Sequence, residues 1–308
     1  ITKENLDNQR HAVQEERRLS LDNRPYGKLE EQFDETMYDN FAYKHSVIGS
    51  MEDLDAATVE DVRDFFRIYY APNNATLALV GDFKTEQALE RIKYYFESIP
   101  EQPAPPPVDI DEPEQKSERR FTVEDGLAQL SLIEIGYKGY AGNPPDVYPL
   151  QVLASVLGSG QSSRLYQKLV KEKQLAVSAS CFASIRRGPG AFEISANVAP
   201  TRKVEDVEAA IYEEIAKLQN EPIEDWELTK AKQIARRGVV SSRQTSLGVA
   251  MIIGQGAVAW NDPNSANTRL EGIMAVTKED VQRVAKQYLQ PANRTVGIAI
   301  PKAEETHK

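Results

Sequence analysis

Glu16 is the ionisable side chain of this sequence best placed to do chemistry. It lies in a helical segment, Lys3 to Leu21, where Leu6 and Val13 mark an apolar stripe at a spacing of seven. Gln9 and Glu16 share that stripe at steps of three and four residues, so Glu16 is expected to point inward. Glu15 lies about a hundred degrees further around the helix, where solvent can carry its charge. An inward carboxylate loses hydration worth roughly several kcal/mol and needs a cation, a set of donors or a metal to hold it. The residues alone leave two readings of Glu16, a buried salt bridge to a local Arg or a metal ligand. His11 and Glu15, at i and i+4, could also grip a metal, although an exposed helical pair is the plainer account of them.

An internal repeat supplies a control for Glu16. Thr58 to Gly81 (TVEDVRDFFRIYYAPNNATLALVG) aligns without a gap on Thr277 to Ile300 (TKEDVQRVAKQYLQPANRTVGIAI), at an offset of 277 − 58 = 219. Identities fall at Thr58/Thr277, Glu60/Glu279, Asp61/Asp280, Val62/Val281, Tyr69/Tyr288, Pro72/Pro291, Asn74/Asn293 and Thr76/Thr295. At the same offset Glu16 faces Ala235, while Arg17 and Arg18 face Arg236 and Arg237. The fold therefore tolerates alanine at that place, and the carboxylate belongs to something only the first copy does.

Glu101 to Glu118 (EQPAPPPVDIDEPEQKSE) separates the copies and reads as an extended, solvated linker. The second copy starts near Arg119, and the offset projects the start of the first to 119 − 219 = −100, roughly a hundred residues before Ile1. The expected organisation is the end of a first domain over 1–100, the linker over 101–118, a second domain over 119–302 and a disordered polar tail over 303–308.

Periodicity and turn residues predict helices over Lys3 to Leu21, Glu30 to Tyr38, Val59 to Tyr70 and Thr85 to Phe96, with a strand over Ala75 to Val80. In the second copy, strands are expected near Phe121 and over Leu130 to Tyr137, Val177 to Ile185, Ala191 to Val198 and Thr295 to Ile300. Helices are expected over Asp146 to Leu157, Ser163 to Lys173, Val204 to Gln219, Glu224 to Ser242, Gly248 to Trp260 and Val281 to Tyr288. Strand pairs mixed with runs of helices indicate an α+β domain, with helices packed on a mostly antiparallel sheet. The 37 basic and 47 acidic residues give a net charge of −10, which disfavours nucleic acid as partner. No apolar run approaches the ~20 residues of a membrane helix. Cys181 is the one cysteine, so an internal disulfide and a Cys-rich zinc site are excluded. Its alternation with Val177, Ala179 and Ala183 marks a buried structural thiol.

Four stretches together resemble the M16 family of inverted-zincin metallopeptidases: NQRHAVQEERR, His45 to Leu54 (HSVIGSMEDL), Tyr70 to Asp82 (YAPNNATLALVGD) and Gly158 to Ala176 (GSGQSSRLYQKLVKEKQLA). The likeness is to short bacterial members with two homologous domains per subunit. It implies a duplicated LuxS/MPP-like metallohydrolase fold and a zinc-dependent endopeptidase acting on extended peptides. In that family Zn²⁺ is held by two histidines of a His-x-x-Glu-His helix and by a glutamate about 75 residues later. Matching the helices places that later ligand at Glu16 and a supporting residue of the metal's surroundings at Gln9, which brings no charge. The His-x-x-Glu-His helix is then expected about 60 residues before Ile1, and the chain by itself is expected to be inactive. In such a set the metal lowers the pKa of a bound water, and the glutamate between the histidines takes its proton. His11, His45 (in a loop) and His307 (in the tail) do not replace the missing imidazoles.

The resemblance also exposes a departure. Family members that complete the site from their second domain carry an Arg and a Tyr seven residues apart, which bind substrate and polarise its carbonyl. Val170 and Val177 of Leu169 to Val177 (LVKEKQLAV) occupy those places, and valine donates no hydrogen bond. The implied partner besides the peptide is a homologous M16 subunit that supplies the Arg/Tyr pair, or a second copy in a homodimer. The alternative is a non-catalytic member acting in assembly or substrate recognition. Short bacterial members often act in the cell envelope, so envelope or periplasm is the expected location. The small-residue loop Gly158 to Ser163 could flex, or simply cap the helix that follows it.

Overall fold

Identical capping begins the two copies of the repeat. Thr58 Oγ1 accepts the Asp61 N–H at 3.2 Å and Asp61 Oδ2 accepts the Thr58 N–H at 2.9 Å; Thr277 and Asp280 make the same reciprocal pair at 3.1 and 3.0 Å. Each pair satisfies two backbone donors that an α-helix leaves unbonded. The helices also end alike. Asn74 Nδ2 donates to the Tyr69 carbonyl at 2.9 Å, and Asn293 Nδ2 to the Tyr288 carbonyl at 3.0 Å. Thr277→Ala is expected to cost about 1 kcal/mol, measured by urea unfolding.

The computed structural model describes residues 1–141 and 145–302; the tail expected over 303–308, with His307, lies outside the described residues. In chain order the elements are α1 (Lys3–Arg17), α2 (Gly27–Met37), α3 (Phe41–Lys44), α4 (Met51–Ala56), α5 (Val59–Tyr69), α6 (Thr85–Phe96), β1 (Arg119–Asp125) and β2 (Leu132–Ala141). There follow α7 (Val147–Gly158), β3 (Ala176–Ala183), β4 (Pro189–Val198), α8 (Val204–Asn220), α9 (Asp225–Ser242), α10 (Ser246–Trp260), α11 (Ser265–Ala275), α12 (Lys278–Tyr288) and β5 (Arg294–Pro301).

The sheet has the order β1-β5-β2-β4-β3, antiparallel except for the β1/β5 pair. This is the expected α+β architecture. Alternation along β2 divides its side chains between two faces. Ile133, Ile135 and Tyr137 enter the main core with residues of α7, α8 and α12, and Cys181 lies in that core too. Leu132 and Gly136 turn to the other face, where α2 lies on β5 and β1.

Two compact units emerge, and they do not follow the division at 101–118. The first comprises Ile1–Arg17, Val47–Asp109 and Val240–Asn267; the second comprises Arg18–Ser46, Ile110–Val239 and Thr268–Lys308, of which the tail is outside the described residues. The solvated linker is also corrected in its second half. From Ile110 onward it is laced to the second unit: Ile110 O accepts from Tyr43 at 2.7 Å, Glu112 pairs with Lys138 at 2.5 Å, and Gln115 donates to Arg294 O at 2.8 Å. The Lys138 and Glu112 side chains are 6% and 1% exposed, and a buried charge persists only with a partner. Composition under-reads such a strap because its few anchors are polar.

The strand expected over Ala75 to Val80 pairs with no other strand among the described residues. Its counterpart β5 lies between β1 and β2, and a strand requires such partners. The neighbouring apolar side chains show the same contrast. Phe65, Tyr70 and Leu77 are 52%, 70% and 60% exposed, whereas their counterparts Val284, Leu289 and Val296 are 0%, 2% and 0% exposed.

Candidate functional site

Three polar side chains set the rotation of α1. Arg10 Nε donates to Leu54 O at 2.7 Å and its Nη2 to Ala57 O at 2.6 Å, both at the C-terminal end of α4. Carbonyls there have no partner inside their own helix and carry the negative end of its dipole, so a guanidinium suits them. Gln14 Nε2 donates to Asp55 Oδ1 and Arg17 Nη1 to Gly49 O, each at 2.7 Å. Gln14 and Arg17 are each only 8% exposed. Positions 10, 14 and 17 repeat at steps of four and three, so one helix face is bonded to residues 49–57.

Glu16 and Gln9 lie around the helix from that face, and both are exposed. The inward direction expected for Glu16 is thereby corrected. Leu6 and Val13 are half-buried and form only the margin of the packed face, because long polar side chains with backbone acceptors define its centre. Two apolar residues seven apart were too few to fix the direction. Arg10→Met is expected to loosen α1 by about 1–3 kcal/mol, read as faster amide exchange over Asn8 to Arg17.

The other candidates are dispersed. His11 and Glu15 are exposed on α1, and His45 is exposed beyond α3, stacked on Phe41 at 4.3 Å. Among the described residues no group of three or more His, Cys, Asp or Glu side chains is arranged to hold a metal ion. The donors present fit only one corner of a zinc site, the Glu16 carboxylate. Val177 projects from β3 at 47% exposure and Val170 is half-buried. Within the Gly158 to Ser163 loop, Ser163 Oγ donates to Gly160 O at 2.7 Å, which ties the loop to itself. Burial pushes the Cys181 thiol well above its ordinary range, as suits a structural cysteine.

The second unit also holds an acidic cavity. Glu134 of β2 and Glu193 of β4 are diagonal neighbours on the sheet face that carries α2, since Glu134 pairs with Ser195 and Gly136 with Glu193. With Glu30 and Asp34 of α2, and with Arg186, they line a cavity of about 460 Å³. Burial foremost, then Glu193, Glu30 and Asp34, push the Glu134 carboxyl up to about 8. Burial and Asp34 push Glu193 up to about 7, while Arg186 pulls it back. The signal was present in LIEIG, a carboxylate inside an apolar strand, but its neighbours come from segments far away in sequence.

Residues 56–235 match the family described as the peptidase M16 inactive domain. The chain belongs to the M16 peptidase family. It is 30% identical over 295 residues to the zinc protease PqqE of Helicobacter pylori, covering 95% of this chain and 66% of that protein. It is 25% identical over 308 residues to an uncharacterized zinc protease of Streptomyces coelicolor, again covering 66% of the relative. The chain thus spans about two-thirds of the length of these relatives. A crystal structure of a Helicobacter pylori protease superposes with a TM-score of 0.92 at 29% identity, covering 98% of this chain and 73% of the other. No helix among the described residues is long and apolar enough to cross a membrane.

Proposed function

We propose that this M16 chain is the larger part of a zinc-dependent metalloendopeptidase subunit in which Glu16 supplies one metal ligand and Gln9 orients it. The observation that carries the reading is Glu16 itself: an exposed carboxylate where the other repeat has Ala235, on a helix locked in rotation by Arg10, Gln14 and Arg17. The remaining ligands would come from a His-x-x-Glu-His helix outside this chain. The exposure of Phe65, Tyr70 and Leu77, whose counterparts Val284, Leu289 and Val296 are buried, supports a longer protein, because exposed apolar side chains of this kind mark a place where something packs. Substrates would be extended peptides and the location the cell envelope. A homologous subunit would supply the Arg/Tyr pair, since Val170 and Val177 donate no hydrogen bond to a carbonyl oxygen.

The test is the zinc content of the full-length protein. One zinc per chain is expected, lost in Glu16→Gln with the circular dichroism unchanged, and peptide cleavage should appear only after the partner subunit is added. A full-length protein without zinc, or a Glu16→Gln variant that keeps it, would sink the reading. Val170 and Val177, with the family description as an inactive domain, favour the second reading, a metal-free subunit in assembly or substrate recognition.

A further inference from the structure

The offset of 219 relates α2 to α10, since Ser246 − 219 is residue 27, where α2 begins. These two helices are exchanged between the units. α2 lies in the sequence of the first repeat but in the second unit; α10 lies in the second repeat but in the first unit.

Side-chain sizes are fitted to this exchange. On the sheet of the second unit, glycines leave room for large side chains of α2. A Cβ at Gly136 would come within 2.9 Å of the Phe33 ring and 3.1 Å of Met37 Sδ. One at Gly297 would come within 2.9 Å of Leu29 Cδ1. Leu29, Phe33 and Met37, at steps of four, are 0%, 3% and 0% exposed, and Phe33 lies 6.3 Å from the Phe121 ring. In the first unit the bulk is differently placed. The counterpart of Gly297 is Ala78, and the helix meets it with Gly254, whose Cβ position is 3.6 Å from the Ala78 methyl. The seat in the second unit is thus sized for α2, whereas the Gly254 contact in the first unit is an ordinary one that would admit a Cβ.

We infer that α2 and α10 act as a reciprocal clasp, so that the two repeats stay locked together when the chain between them is cut. The chain passes between units at five places, and only the passage after Asp109 belongs to the Pro-rich segment. A cut between Pro106 and Pro107 leaves one piece that donates Arg18–Ser46 to the second unit and another that donates Val240–Asn267 to the first. Neither piece contains a whole unit. The seat on β5, β1 and β2 is an acceptor for an amphipathic helix, and its occupant is the same chain's α2.

The test places a protease recognition sequence between Pro106 and Pro107 of the full chain, folds it, cuts it and runs native size exclusion. Both pieces should elute together at the mass of one chain and part only in denaturant. Phe33→Ala with Met37→Ala should weaken their association more than about tenfold. Amide exchange on uncut wild type, which needs no variant to fold, should show α2 as protected as β2 and β5. Pieces that separate after the cut, or an α2 that exchanges freely, would overturn the clasp. Elution at the mass of two chains would overturn its assignment within one chain.

Discussion

Raising the pH from about 5 to about 9 is expected to destabilise the second unit by about 2–4 kcal/mol, and Glu134→Gln should remove most of that loss. Glu134 and Glu193 carry folded pKa values of about 8 and about 7, above an unfolded value near 4.5. Burial raises Asp34 as well, against the pull of Arg186. A carboxyl whose folded pKa is raised holds its proton more tightly in the folded state. Its favourable contribution is complete below about 4.5 and disappears as the pH rises through about 7 to 8. Above that window several carboxylates face one Arg186 on a half-covered sheet. Urea midpoints at about pH 5.5, 7 and 8.5, with amide exchange in β2 and β4 to assign them, would measure the effect. Parallel pH profiles for wild type and Glu134→Gln would refute it.

Arg164→Met is expected to cost about 3–5 kcal/mol at neutral pH, whereas Arg164→Met with Glu227→Met should cost far less. Arg164 grips Glu227 with two hydrogen bonds of 2.7 Å, and the Glu224 N–H donates to the same carboxylate at 2.8 Å. Glu227 is 4% exposed. Burial pulls its carboxyl up, but Arg164 and the Glu224 N–H together hold it below the usual range. Without the guanidinium the same burial acts unopposed. Glu227 must then take up a proton or stay charged in a dry site. The single variant should therefore recover stability relative to wild type as the pH is lowered and Glu227 takes up its proton, while the double variant should not. Equal losses for single and double variants would mean that Arg164 acts by packing alone.

Both effects depend on neighbours that lie far apart in sequence. Glu134 and Glu193 become diagonal only through the β2/β4 register, and Asp34 reaches them from a helix about a hundred residues away. The same holds for α1. Its length and helicity are legible in NQRHAVQEERR, but its rotation depends on Leu54, Ala57 and Gly49 carbonyls, which a backbone supplies whatever its side chains. Reading Leu6 and Val13 alone therefore misdirected Glu16. α4 escaped for a related reason, since a helix of six residues from Met51 to Ala56 carries too few apolar positions to set a period.

The sequence by itself determined the repeat, its offset, the buried thiol and the family, because these rest on residue identities in order and on local alternation. Tertiary structure decided which unit each helix joins, which face Glu16 occupies, whether 75–80 has strand partners, and where carboxylates crowd. These depend on burial and pairing between distant segments, and burial is a property of what packs against a residue, not of the residue itself.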